Sequence, residues 1–241
     1  LCVLTVAGSA CAQKLEDRSV ARGRSLYESK MYDEAISEYD KAIEDDPANA
    51  EAYYYRGLAY VKKNDLKQAI ADFSEALNIK PHYIDAYISR GLAYQNTGNL
   101  NKAIGDYTFA MQMNPKAAQP YNSCGLVYWA QGNLVQAIAH YNKAIDLDPH
   151  FAESYHNRAI VYRTQGYFDL ALADFNKAIQ LDPQYIDAYC NRGGVYIHTK
   201  EFDRALADFN MALEIDAESV AAYVTRGLAY IGKGELEMAI S

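Results

Sequence analysis

Five histidines (His82, His140, His150, His156, His198) and four cysteines (Cys2, Cys11, Cys124, Cys190) are the residues from which a metal site or a nucleophile would be drawn. His156, Cys190 and His198 come nearest to a set, but 34 and 8 residues separate them. Zinc needs its ligands within roughly 2.0–2.3 Å, so hydrogen-bonded or solvated side chains are the stronger reading. No His-Glu-x-x-His pattern and no glycine-rich phosphate loop occurs. Serines and aspartates fall at turns and caps, with no triad among them. The expectation is a chain with no catalysis, no metal and no cofactor. Cys124 and Cys190 lie 66 residues apart. Neighbouring packed helices are about 8–10 Å apart and a disulfide needs Cα atoms within about 7 Å, so both thiols are expected free.

The charged residues are more telling. Arg22, Arg56, Arg90, Arg158, Arg192 and Arg226 recur in one register, and Glu38, Asp72, Asp106, Asp174 and Asp208 in another. Cys124 and His140 break both series together. This joint loss points to ion pairs, each Arg with the acid 16 residues on, rather than to independent solvated charges. Such pairs are architecture, not chemistry. Net charge is −8, which argues against a nucleic-acid partner, since phosphates call for a basic stripe. No stretch approaches the roughly 20 apolar residues of a membrane span.

These registers belong to a 34-residue unit. "YYYRGLAY" at 53–60 returns as "YISRGLAY" at 87–94 and "YVTRGLAY" at 223–230, with looser copies at 121, 155 and 189. Framed by Pro47, Pro81, Pro115, Pro149 and Pro183, the repeats are 16–49, 50–83, 84–117, 118–151, 152–185 and 186–219, with a partial seventh at 220–241. Within a repeat, apolar residues at positions 17, 20, 21, 24, 27 and 28 have helical spacing. Turn residues such as Asn64-Asp65, Gly98-Asn99, Gly132-Asn133 and Gly166 separate two helices, and Pro stops the second.

The pattern resembles the tetratricopeptide repeat family. It shows in the aromatic at position 4 (Tyr53, Tyr87, Tyr121, Tyr155, Tyr189, Tyr223), the Gly at position 8 (Ala159 departs), the Ala at position 20 and the aromatic at position 24. The resemblance covers 16–241. It implies an all-α, right-handed superhelical solenoid of helix-turn-helix repeats, with the first helices lining a concave groove. Small residues recur where two helices cross, and filling such a site overpacks it, at typically 1–3 kcal/mol.

The resemblance also assigns positions 2, 5, 6, 9, 12 and 13 to the groove, and these are the letters that drift. The implied peptide-binding residues are Tyr54, Leu58, Ile88, Leu92, Asn122, Leu126, Trp129, His156, Asn157, Ile160, Cys190 and Asn191. The first half reads as apolar, the part from His156 on as more polar. Leu58, Leu92 and Leu126 serve equally as packing between neighbouring first helices. Position 2 holds Asp17, Glu51, Asp85, Gln119, Glu153 and Asp187, either helix-dipole partners, at roughly 0.3–1 kcal/mol each, or an acidic rim. Family members that hold a chaperone's C-terminal carboxylate carry Lys at positions 2 and 5 and Asn or Arg at position 6; this chain has mostly acids at position 2, no Lys at position 5, and only Asn157 and Asn191 matching at position 6, so that ligand class is rejected.

The expected function is a non-catalytic scaffold binding a peptide or helix of a protein partner. The alternative is a regulatory or substrate-recruiting part of a larger enzyme with its catalytic domain beyond residue 241. Residues 1–12, with Ala10-Cys11-Ala12 before Gln13, read as the end of a secretory signal, hence an exported, periplasmic or extracellular protein. Lipid anchoring through Cys11 ranks second. The partial seventh repeat leaves an apolar face for further chain or for self-association.

Overall fold

The computed structural model describes residues 18–239. The signal segment, Cys2, Cys11, Asp17 and the helix start expected at Glu16 lie outside them. All regular structure among the described residues is helical. Helix α1 covers 18–28. It is followed by α2 (Tyr32–Asp45), α3 (Ala50–Lys62), α4 (Leu66–Ile79), α5 (Ile84–Asn96), α6 (Leu100–Met113), α7 (Ala118–Ala130) and α8 (Leu134–Leu147). Then come α9 (Ala152–Thr164), α10 (Phe168–Leu181), α11 (Ile186–His198), α12 (Phe202–Ile215), α13 (Val220–Lys233) and α14 (Leu236–Ala239). None of these helices is long and apolar enough to cross a membrane. The chain forms two compact blocks, Leu1–Pro115 and Lys116–Ser241. Inside each block every odd-numbered helix packs on the even-numbered helix after it, and that helix packs on the next odd one.

The hairpins close because two helices approach where side chains are small. Ala35, Ala69, Ala103, Ala137, Ala171 and Ala205 at position 20 are fully buried, as are Ala42, Ala76, Ala110, Ala144, Ala178 and Ala212 at position 27. Position 24 drives an aromatic ring (Tyr39, Phe73, Tyr107, Tyr141, Phe175, Phe209) into the crossing. The ring takes the place a Cβ would need: one built on Gly91 would stand 2.6 Å from Tyr107 Cε1, and one on Gly125 2.4 Å from Tyr141 Cε1. Ala159 shows that one repeat accommodates the extra methyl.

Position 15 turns the chain in every hairpin and is left-handed each time. Gly98, Gly132, Gly166 and Gly234 have φ between 75° and 86°, while Asn64, Lys30 and Lys200 have φ of 61–62°. The following N–H reaches back to the carbonyl at position 11, as in Asn99 N–H to Tyr94 O at 2.8 Å. Position 15 itself bonds to position 12, as in Gly98 N–H to Gln95 O at 3.0 Å. Together these close a Schellman cap. Asn tolerates this conformation; Lys does so at a cost.

The expected ion pairs form in four repeats. Arg56 meets Asp72, Arg90 meets Asp106, Arg158 meets Asp174 and Arg192 meets Asp208, each through Nε and Nη2 at 2.5–2.9 Å. A third arm was not expected. Nη1 of the same Arg reaches position 25 of the preceding repeat: Asp40 from Arg56, Ser74 from Arg90, Asn142 from Arg158 and Asn176 from Arg192. Each guanidinium also lies 5.4–5.7 Å from the ring of its own position-4 Tyr. One side chain thus joins three helices. The hydrogen bond to Asp72 raises the Arg56 pKa, desolvation pulls against it, and the bond to Asp40 raises it further.

The first repeat departs from the expected pairing. Arg22 is exposed and 3.9 Å from Glu38, because Lys41 takes that carboxylate at 2.7 Å and Ser19 stands where an aromatic platform would lie. Among the described residues Arg226, over Tyr223, reaches Asn210, at 3.2 Å, and no carboxylate. In the fourth repeat the His140 ring sits 4.9 Å from the Tyr128 ring and Nδ1 faces Gln136 O at 2.9 Å.

Two outcomes follow for stability. Arg90→Met or Asp106→Leu alone should cost about 3–5 kcal/mol by stranding a mostly buried charge, and the double variant less than the sum; additive urea midpoints would refute the pair. Lys200→Gly should raise stability by up to about 1 kcal/mol as left-handed strain is released, less the entropy Gly adds to the unfolded chain. An unchanged or lower midpoint would deny the strain.

Candidate functional site

The first helices α7, α9, α11 and α13 of the second block follow one another, each touching the next. Their drifting positions assemble a polar chain. It starts in α7 at Asn122, only 2% exposed. Asn122 Oδ1 accepts from Ser154 Oγ at 3.2 Å and from Asn157 Nδ2 at 3.1 Å, and its amide donates to Glu153 Oε1 at 3.2 Å. Ser154 occupies position 3, which is Ala in the second, third, sixth and seventh repeats, so its hydroxyl belongs to the network. Asn157 Oδ1 faces His156 Nδ1 at 3.4 Å. His156 Nδ1 also lies 3.1 Å from Tyr185 Oη, and Nε2 lies 3.1 Å from Asn191 Nδ2. Asn191 donates in addition to Asp187 O at 2.9 Å and accepts from Arg163 Nη1 at 2.8 Å.

The partners of His156 favour one neutral tautomer. Asn191 Nδ2 is a donor, so Nε2 must accept, and Nδ1 carries the proton toward Tyr185 and Asn157. Burial lowers the His156 pKa from its ordinary value; hydrogen bonding to Asn157, the Asp187 charge and the Asp187 backbone carbonyl oppose this, and the Arg163 charge adds to the lowering. The imidazole is therefore neutral near pH 7. It fills the place that Tyr54 holds in the second repeat. The His156 ring is 5.7 Å from Phe175 and 4.7 Å from Tyr185; Tyr54 is 5.9 Å from Phe73 and 4.8 Å from Tyr83. One packing slot thus carries an aromatic in one block and a polar ring in the other.

The residues expected in the groove divide three ways. Asn122, His156 and Asn157 are buried, engaged with each other rather than presented to a ligand. Tyr54, Leu58, Ile88, Leu126, Ile160, Cys190 and Asn191 are half-buried. Leu92 and Trp129 are exposed, at 46% and 40%. The position-2 acids Glu51, Asp85, Glu153 and Asp187 are exposed. Both described thiols are free. Burial pushes the Cys124 thiol up to about 12; burial and then Asp187 and Asp208 raise that of Cys190. Neither has thiolate character. Among the described residues no group of three His, Cys, Asp or Glu is placed to hold a metal ion. A depression of about 530 Å³ lies elsewhere in the first block, lined by His82, Ile84, Phe109, Gln112 and Met113.

Comparison with known families decides the class. Models described as TPR repeat match residues 23–64, 57–98, 130–166 and 161–198, and models described as tetratricopeptide repeat match 84–116 and 186–219. The chain belongs to the tetratricopeptide repeat family. The matches stop at 116 and resume at 130, and the stretch between them holds Pro120, Asn122, Cys124 and Trp129. Solved structures share the fold. One, a tetratricopeptide repeat protein from Parabacteroides merdae, is 21% identical with a TM-score of 0.76 over 94% of this chain and 90% of that one. MamA is 27% identical, TM-score 0.61, over 67% of this chain and 94% of that one. YrrB, described as a TPR protein with an unusual peptide-binding site, is 22% identical, TM-score 0.54, over 76% of this chain and 95% of that one. A search of curated proteins returned no match.

Two network members, Ser154 and Tyr185, stand at positions 3 and 34, outside the groove positions of the tetratricopeptide register, while Arg163 stands at groove position 12 but was not among the expected peptide-binding residues. Ser154 could have been found as a hydroxyl at an otherwise Ala position. Arg163 is visible in the sequence as the charge at groove position 12, which Val61, Gln95, Trp129, Ile197 and Ile231 hold in other repeats.

A depressed histidine pKa leaves the folded chain binding fewer protons than the unfolded one below about pH 6.5, so stability present above that pH is lost as pH falls. His156→Gln should flatten this loss. Between pH 7 and 5 wild type should lose up to about 1.4 kcal/mol per pH unit more than the variant, read from urea midpoints. Parallel pH profiles would show that His156 does not titrate on unfolding.

Proposed function

We propose that this tetratricopeptide chain is a non-catalytic scaffold that holds a segment of a partner protein on its first-helix face, through shape and apolar anchors. Membership of the family supports a protein-interaction role in general. The observation that carries the finer reading is Trp129. It is the chain's one Trp, 40% exposed on α7, where burial would be the ordinary fate of so large a ring. Exposed Trp on a surface otherwise set by repeat packing is the composition of an interface hot spot. Leu92, at 46%, offers the same on α5 of the first block. An apolar anchor beside polar side chains suits a peptide or helix laid along a groove. The groups able to do chemistry support the non-catalytic half of the reading: the thiols are held protonated and His156 is enclosed by hydrogen bonds.

The test uses the full chain as bait and identifies what co-purifies by mass spectrometry, with Trp129→Ala as the control. The identified partner should bind the variant about tenfold or more weakly, while the variant's stability stays within about 0.5 kcal/mol of wild type. A loss of several kcal/mol would make Trp129 a packing residue and remove the anchor from the proposal.

A further inference from the structure

Among the described residues four half-buried guanidiniums hold a carboxylate, while Arg163 and Arg226 do not, Arg226 lying over Tyr223 and donating to Asn210. Arg56, Arg90, Arg158 and Arg192 each hold a carboxylate through two hydrogen bonds. Arg163 is also half-buried. Among the described residues it makes one hydrogen bond, to the neutral Asn191 Oδ1 at 2.8 Å, and no ion pair. A guanidinium carries five N–H donors in a planar fork that matches a carboxylate, so four remain. Burial without a compensating anion lowers the Arg163 pKa. The surroundings keep the fork accessible. Position 9, a Leu or Ile in the second to fifth repeats, is Gly194 on α11, and a Cβ built there would meet Arg163 Nη1 at 3.5 Å. Asn191, which orients Nη1, is itself fixed by His156 and Asp187.

Trp129 and Arg163 occupy the same repeat position on successive first helices, α7 and α9, which touch. Helices in contact are about 8–10 Å apart, and an extended chain covers about 3.3–3.6 Å per residue. The two side chains are therefore about three residues apart along a bound extended segment. We infer that Arg163 and Trp129 form a two-point site for an extended partner segment, Arg163 taking an internal Asp or Glu side chain and Trp129 an apolar residue about three positions away. This rests on the peptide-binding reading above and adds the ligand's chemistry. The carboxylate is internal because first helices continue on both sides of α9, with α7 before and α11 and α13 after, so the segment runs past the guanidinium. It is single because Asp187, exposed one turn before Asn191, and a net charge of −8 repel a strongly acidic chain.

The test selects random 12-residue peptides, displayed as internal segments, on the full wild-type chain and on Arg163→Gln. Selected sequences are then made as capped, amidated peptides and titrated against the emission of Trp129. Wild type should enrich an Asp or Glu three residues from an apolar residue, and the variant should lose the acid but keep the apolar preference. Changing that acid to Asn, or Arg163 to Gln, should each weaken binding by about tenfold or more. The two changes together should weaken it little further, with an unchanged melting temperature for the variant. Peptides that bind Trp129 but show no acid preference would overturn the role of Arg163 and leave the groove reading standing. Free-acid peptides that outbind their amides would place a chain terminus on Arg163 and overturn the internal carboxylate. No enriched peptide on wild type would overturn both readings.

Discussion

Everything in this chain depends on how near two helices come within a hairpin. Ala at positions 20 and 27 and, in all but one repeat, Gly at position 8 let the backbones approach until a position-24 ring fills the gap. A Cβ on Gly57 would stand 2.7 Å from Phe73 Cε1, so a side chain there would require the ring to shift, a change that only the Ala159 repeat takes up. That contact uses up the inward faces of both helices. The outer positions of the first helix are then free of any duty inside their own hairpin, and they are the ones that vary from repeat to repeat.

The second constraint joins one hairpin to the next. Position 7 could pack as an apolar residue; instead an Arg fixes three helices, with two bonds to its own second helix and one to the second helix before it. The cost of burying a charge is offset because the carboxylate is equally enclosed, the side chains of Asp72 and Asp106 being 7% exposed, and because a Tyr ring supplies a further face. A clamp of this kind constrains direction as well as distance, since a planar fork must meet two oxygens in one plane. Stacking by apolar contact alone would permit more sliding. The fourth repeat gives up the device, with Cys124 for Arg and His140 for Asp, and it is also the repeat in which the first helix carries Pro120, Asn122 and Trp129.

Periodicity made the fold legible. Residues that recur every 34 positions report constraints shared by every hairpin, so the helices, their turns and the Arg–Asp pairs could be read from one chain. Arg22 and Glu38 misled because composition matches the register while Ser19 and Lys41 change the surroundings. The third arm of the clamp was hidden because position 25 accepts Asp, Ser or Asn, any oxygen at the right height, and such a mixture leaves no repeated letter. The site was less legible for the same reason inverted: it is made of the letters that do not repeat. Sequence register put Asn122, His156, Asn157 and Asn191 on the groove side, but spacing does not say whether a polar side chain faces solvent or a neighbour on the next helix. Their mutual hydrogen bonds exist only once α7, α9 and α11 are side by side.

Burying those polar groups has a physical use that bears on Arg163. A long side chain on a helix face loses up to about 2 kcal/mol of rotamer freedom when a ligand fixes it. Here Asn191 holds one end of the fork before any ligand arrives, and His156 and Asp187 hold Asn191. The chain of bonds back through Asn157 to Asn122 ties the orientation of Arg163 to the packing of three helices, as an outer shell orients the side chains that meet a ligand. A mobile Arg at the same position would offer the same charge with less direction. Asp187 O takes the Asn191 amide N–H at 2.9 Å, which keeps the amide oxygen turned toward the guanidinium, and a neutral His156 accepting at Nε2 adds to that hold.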